Sequence, residues 1–129
     1  MSIIDLFHQA VYIQEPNRIC FDYAVFKTFA QPSQYDAFTA YIIELMRQCI
    51  ETHGGFEMHL NLSKFSVTAA QRYSEMIRVF CKQCLQSETE YSKLLIKLYI
   101  YNPPKILGSI SALFVSFVDD NVKSKIVFA

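Results

Sequence analysis

The chain has no tryptophan, and its 129 residues include only 3 glycines and 4 prolines. So little glycine and proline leaves no room for a flexible linker or a low-complexity tail. It also lacks a charge of dominant sign, since 12 Lys and Arg balance 12 Asp and Glu. Without net charge or a block of like charges, it carries no electrostatic footprint for nucleic acid or an anionic membrane. The start, Met1-Ser2-Ile3-Ile4-Asp5, has an early acid and no cationic region, so no signal peptide is expected. The longest uncharged stretch, Ile106 to Val118, is too short to span a bilayer. These absences predict a soluble, intracellular, cytoplasmic protein with no nucleic-acid partner and no transmembrane segment.

Familiar catalytic signatures are missing too. Gly54-Gly55 and Gly108 are isolated, so no glycine-rich loop can cradle a phosphate. No Gly-x-Ser-x-Gly elbow presents a nucleophile. Cys20, Cys49, Cys81, Cys84, His8, His53 and His59 show no finger-like spacing, so neither a metal site nor a cofactor is expected. Cys81-Lys82-Gln83-Cys84 lies within a helical pattern that includes Ile77 and Phe80. A redox pair would instead open a helix after a strand, so these thiols read as free core residues.

What the chain does have is apolar bulk: 52% hydrophobic and 15% aromatic residues, with 11 Phe and 8 Tyr. That excludes disorder and suffices for one core, so residues 1–129 read as a single domain. Alternation predicts strands over Ala10 to Gln14 and Arg18 to Tyr23, joined at Glu15-Pro16-Asn17. A helix is expected from Pro32-Ser33, with Phe38, Tyr41, Ile42, Leu45, Met46 and Cys49 at helical spacing and a stop at His53-Gly54-Gly55. Phe56 to Leu62 reads as a strand. Thr68 with Gln71 reads as a capping box opening a second helix, with a stripe of Tyr73, Met76, Ile77, Phe80, Cys81 and Cys84. Leu95 to Tyr101 is the next strand, Lys105 to Val118 a third helix, and Lys125 to Ala129 a last strand.

The order ββαβαβαβ predicts an α/β fold with a single, mainly parallel or mixed sheet of about five strands. Phe56, Met58, Leu60 and Leu62 share one face of their strand, and Glu57, His59 and Asn61 the other. The following strand sets Ile96, Leu98 and Ile100 against Lys97, Tyr99 and Tyr101. Strands buried on both faces would be apolar on both. Helices are therefore expected mainly on one face, and the polar, aromatic face is solvent-exposed or the floor of a cleft.

Leu98-Tyr99-Ile100-Tyr101-Asn102-Pro103-Pro104, then Ile110 to Val118, Asp119 and Lys125-Ile126-Val127-Phe128, resembles the CRAL-TRIO lipid-binding family. That family has a strand ending in Asn-x-Pro, a gate helix ending in Phe and Leu-Asp, and a strand containing Lys-Ile. Met58 to Phe65 is similar to its central strand, where an Asp usually stands at the position of Asn61. The resemblance covers Phe56 to Ala129, and the same αβ order recurs in STAS domains. Against the family pattern the chain reads as a shortened core, without the helical N-terminal module. In compactness it is similar to small proteins of large DNA viruses such as African swine fever virus.

The resemblance implies a non-enzymatic domain binding a lipid or other small hydrophobic molecule. Its cleft is expected between the third helix, through Ile110 and Phe114, and the face bearing His59, Asn61, Tyr99 and Tyr101. The outer side of that helix, Gly108, Ser111, Ala112 and Val115, is small and uncharged where a surface helix usually carries charge. It reads as an interface, including for a homodimer. The alternative function is a protein-interaction module without lipid, such as a viral factor that blocks a host signalling or transcription partner. His59, with Glu57 and Asn61 beside it, is the best acid–base candidate, but no nucleophile accompanies it, and catalysis is not expected.

Overall fold

A computed structural model describes residues 2–85, 89–102 and 120–128. It opens with a helix that alternation did not reveal, α1 (Ile3–Ala10). Its signal is a reciprocal cap: Ser2 Oγ accepts from the Asp5 N–H, and the Asp5 carboxylate accepts from the Ser2 N–H. Strands β1 (Val11–Gln14) and β2 (Arg18–Asp22) follow as an antiparallel pair. A short helix α2 (Tyr23–Phe26) and a 3₁₀ turn (Pro32–Gln34) lead into α3 (Tyr35–His53). The buried face of α3 is Phe38, Ile42, Leu45, Met46 and Cys49, at the spacing the sequence predicts.

Two glycines then turn the chain. Gly54 takes φ 75° and donates its N–H to the Ile50 carbonyl at 2.8 Å, closing α3. At Gly55 a Cβ would stand 2.9 Å from the Leu94 carbonyl oxygen, so a side chain would force two backbone segments apart. Strand β3 (Phe56–Asn61) follows, then helices α4 (Val67–Arg72), α5 (Ser74–Cys84) and α6 (Glu90–Leu94), and strand β4 (Leu95–Tyr101). The second helix expected from Thr68 is thus two helices, broken at Tyr73. Its N-cap is Ser66, whose Oγ accepts from the Ala69 N–H at 3.1 Å, and Thr68 lies within the first turn. The described chain ends with α7 (Asp120–Lys123) and β5 (Ile126–Phe128). The expected third helix, Lys105 to Val118, lies outside the described residues.

The five strands form one sheet in the order β1-β2-β3-β4-β5. Every pair after the first is parallel, so the mixed, mainly parallel α/β sheet is as the sequence predicts. The register corrects one assignment. Phe56 pairs with Leu95 and Glu57 with Lys97, leaving Ile96 as an extra residue in β4. The bulge turns Leu95 into the core at 1% exposure and leaves Ile96 48% exposed, outside the apolar row assigned to it.

The helices pack on the face formed by Val11, Ile19, Phe56, Met58, Leu98 and Ile100, all buried. Aromatic residues join the layers: Phe7 meets Phe38 at 5.1 Å between ring centroids, Phe26 meets Tyr73 at 5.2 Å and Tyr23 meets Phe65 at 5.0 Å. Tilted and edge-on pairs of this kind suit the ring quadrupole. Among the described residues, no helix is long and apolar enough to cross a membrane.

Candidate functional site

The two faces of the sheet hold different chemistry because successive side chains alternate. On the polar face, β-register aligns Tyr12, Cys20, His59 and Tyr99 in one row, with Arg18, Glu57 and Lys97 in the row on one side. Asp22, Asn61 and Tyr101 form the row on the other side. His59 is stacked with Tyr99 at 4.6 Å and Tyr101 at 5.7 Å between centroids. Its Nε2 lies 2.9 Å from Glu57 Oε1 and its Nδ1 lies 2.6 Å from the Tyr101 hydroxyl. An ionised carboxylate only accepts, so Nε2–H donates to Glu57 and the Tyr101 O–H donates to Nδ1 when the imidazole is neutral.

Glu57 also lies 3.8 Å from Arg18 Nε on β2, although its register partner on β4 is Lys97. Both ring nitrogens of His59 are therefore engaged. Cys20, its register neighbour, reaches instead toward Gln14 Oε1 at 3.8 Å, and burial raises its thiol pKa. A thiol held neutral, beside an imidazole with no free nitrogen, is a poor nucleophile. Asn61 ties the strand ends together, accepting from the Ser63 N–H at 3.1 Å and from Asn102 Nδ2 at 3.0 Å.

His59, Asn61 and Tyr101 do gather in a polar depression on this face, shared with Tyr12, Gln14 and Cys20. The apolar cavity is elsewhere. It lies on the opposite side of the sheet, between the apolar strand faces and the helices, with a volume of about 370 Å³. Its sheet wall is Phe21, Met58, Leu60, Leu98 and Ile100, and α2 and α3 contribute Phe26, Phe38 and Ile42. From Tyr73 and α5 come Tyr73, Met76, Ile77, Phe80 and Cys81. The cleft expected between the third helix and the face bearing His59, Asn61, Tyr99 and Tyr101 involves a helix outside the described residues; among the described residues the apolar space lies on the other face. The reason is physical: space bounded by apolar side chains forms where the helices pack, and the helices pack on the other face. Ile110 and Phe114, named for the cleft, and Gly108, Ser111, Ala112 and Val115, named for an interface, lie outside the described residues.

Sequence periodicity did not separate core from cavity. Leu60, Phe21, Ile77 and Phe80 carry the same apolar pattern as their buried neighbours, yet each is only partly buried and faces the cavity. Among the described lining residues Lys123 alone is charged. All four cysteines are free, and burial pushes the thiols of Cys81 and Cys84 up to about 12. Among the described residues, no three His, Cys, Asp or Glu side chains cluster as a metal site would require.

A mixed sheet with its described helices on one face and an apolar cavity between the layers defines an α/β domain built around a hydrophobic pocket. The family model described as the CRAL/TRIO domain matches residues 8–129, and the chain belongs to that family. Among solved structures, "Crystal structure of Sfh5" is similar at a TM-score of 0.69 and 16% sequence identity. The likeness covers 92% of this chain but 46% of that one, and at such identity it speaks to the fold alone. No curated protein matches the chain.

Proposed function

We propose that this chain binds a lipid or another small hydrophobic molecule in the cavity between sheet and helices, and that it does so without catalysis. The observation that carries the reading is the cavity itself, about 370 Å³ walled almost wholly by apolar and aromatic side chains. Ligand sites are concave, mostly apolar and largely preformed, and a volume above roughly 300 Å³ is in their range. A void of that size costs packing energy when empty, so an apolar occupant stabilises the fold. Family membership supports the same reading.

The test is native mass spectrometry of the chain purified from lipid-rich cells, with organic extraction of the same sample. One bound molecule per chain, recovered in the extract, is the expected result. A spectrum of unliganded chain, with no uptake of labelled fatty acid, sterol or phospholipid, would overturn the reading.

A further inference from the structure

We infer that the occupant is a single-chain amphiphile with an anionic head, its tail in the cavity and its head at Lys123. This rests on the cavity being a ligand site and adds the ligand's size and charge.

Size comes first. A 150 Å³ protein cavity accepts benzene, or about 25 Å³ per heavy atom, so this cavity has space for about 15 heavy atoms. One acyl chain of about twelve carbons with its head fits that space, whereas a diacyl glycerolipid is roughly three times too large.

Charge comes second. Lys123 is the only charged side chain among the described lining residues, and it is 34% exposed, so it stands between the apolar interior and water. Phe128, also lining the cavity, is 49% exposed. Phe26 and Phe38, by contrast, line the cavity and are buried.

The helix that carries Lys123 is well anchored. Val122 beside it is fully buried, and the Ser92 carbonyl accepts from Asn121 Nδ2 at 3.3 Å and from Lys125 Nζ at 2.8 Å. The present partner of Lys123 is weak: Asp120 Oδ1 at 3.5 Å, on a fully solvated side chain. An exposed pair of that kind holds little energy, so Lys123 can exchange it for a ligand's anion at small cost. The ligand anion, next to apolar walls that exclude water, gains more from the same ammonium.

The experiment titrates the full chain with dodecanoate, dodecyl phosphate, dodecanol and diacyl phosphatidylcholine vesicles. Native mass spectrometry gives stoichiometry and calorimetry gives affinity. Either anion should bind one per chain, about tenfold more tightly than dodecanol, because its head makes a charge-assisted hydrogen bond. The two anionic heads differ in source, and whichever binds more tightly identifies it. Lys123→Gln should bring the anions down to the affinity of dodecanol and leave dodecanol unchanged. Asp120→Asn, on an exposed side chain, should strengthen anion binding and keeps the test open if the Lys123 variant fails to fold. Equal affinities for anion and alcohol in the unaltered chain, or stoichiometric uptake of the diacyl lipid in preference to single chains, would overturn this inference and leave the cavity reading standing. No uptake of any of the four overturns this inference, and the cavity reading falls with it when a labelled sterol is refused as well.

Discussion

Thr39 shows how one atom constrains α3. Its side chain is fully buried, and Oγ1 has no hydrogen-bond partner among the described residues. A buried hydroxyl without a partner carries its desolvation cost uncompensated. Thr39→Val replaces that hydroxyl by a methyl of similar size, and should be neutral or stabilising by up to about 1 kcal/mol in chemical denaturation. A loss of more than that would show that the hydroxyl is satisfied after all. The cysteines make a second point at this scale. Cys81 and Cys84 have thiols raised from 9.0 to about 12 by burial, with Cys84 raised further by its neighbour. Between these values the folded chain holds protons that the unfolded chain has released. Their stabilising contribution is thus complete below about pH 9 and is lost as pH rises toward 12, by up to about 1.4 kcal/mol per thiol per unit. Thermal melts from pH 8 to 10.5 should fall, and Cys84→Ala should flatten the fall. The same burial predicts that these two thiols react with a disulfide reagent only after unfolding, while half-buried Cys20 reacts first.

At the scale of an element, α4 begins where its cap is, not where the capping-box signature stands in the sequence. Thr68 has Gln71 three residues on and Ser66 only Ala69, but it is Ser66 that has extended backbone, φ −137° and ψ 172°, from which its oxygen reaches the Ala69 N–H. Ser66→Ala should cost about 1 kcal/mol and Thr68→Ala only a few tenths, by urea denaturation of each variant. The reverse order would mean that the cap is Thr68. The break after α4 also matters for the cavity. Tyr73 departs from helical dihedrals, at φ −103° and ψ 17°, and after it α5 turns Met76, Ile77, Phe80 and Cys81 toward the sheet.

For the whole molecule, the cavity is the one feature whose removal changes function and fold in opposite directions. Leu60 is partly buried and stands on its sheet wall. Leu60→Trp places an indole into that space. Uptake of a hydrophobic ligand should be abolished while the melting temperature is held or raised, since the void is filled rather than a packed core overfilled. Native mass spectrometry beside a thermal melt checks both. Unaltered uptake would place the ligand elsewhere. In the unaltered chain, ligand at a hundred times its Kd should add about 2.7 kcal/mol of stability, and the Leu60 variant should show none of it.

Local pattern was enough for much of this. The alternation in β1 to β4, the helical stripe of α3, the glycine stop at Gly54 and the order of elements are set by neighbours within a few residues, so they can be read from the chain. The division of the sheet into an apolar and a polar face belongs here too, because alternation along a strand needs no partner. Helix α1 is not among the elements predicted from the sequence, although its Ser2 and Asp5 cap is a local signal. Where the cavity lies is a different kind of fact. Leu60 and Phe56 have the same pattern in sequence, and only the distance to the helices opposite decides that Phe56 is packed and Leu60 lines a space. The bulge at Ile96 is set by pairing with β3, and Glu57 finds Arg18 and His59 rather than Lys97 through geometry across three strands. Lys123 reads as a surface lysine until α7 folds back against the cavity. A void is what packed surfaces leave between them, so it exists only once those surfaces have met.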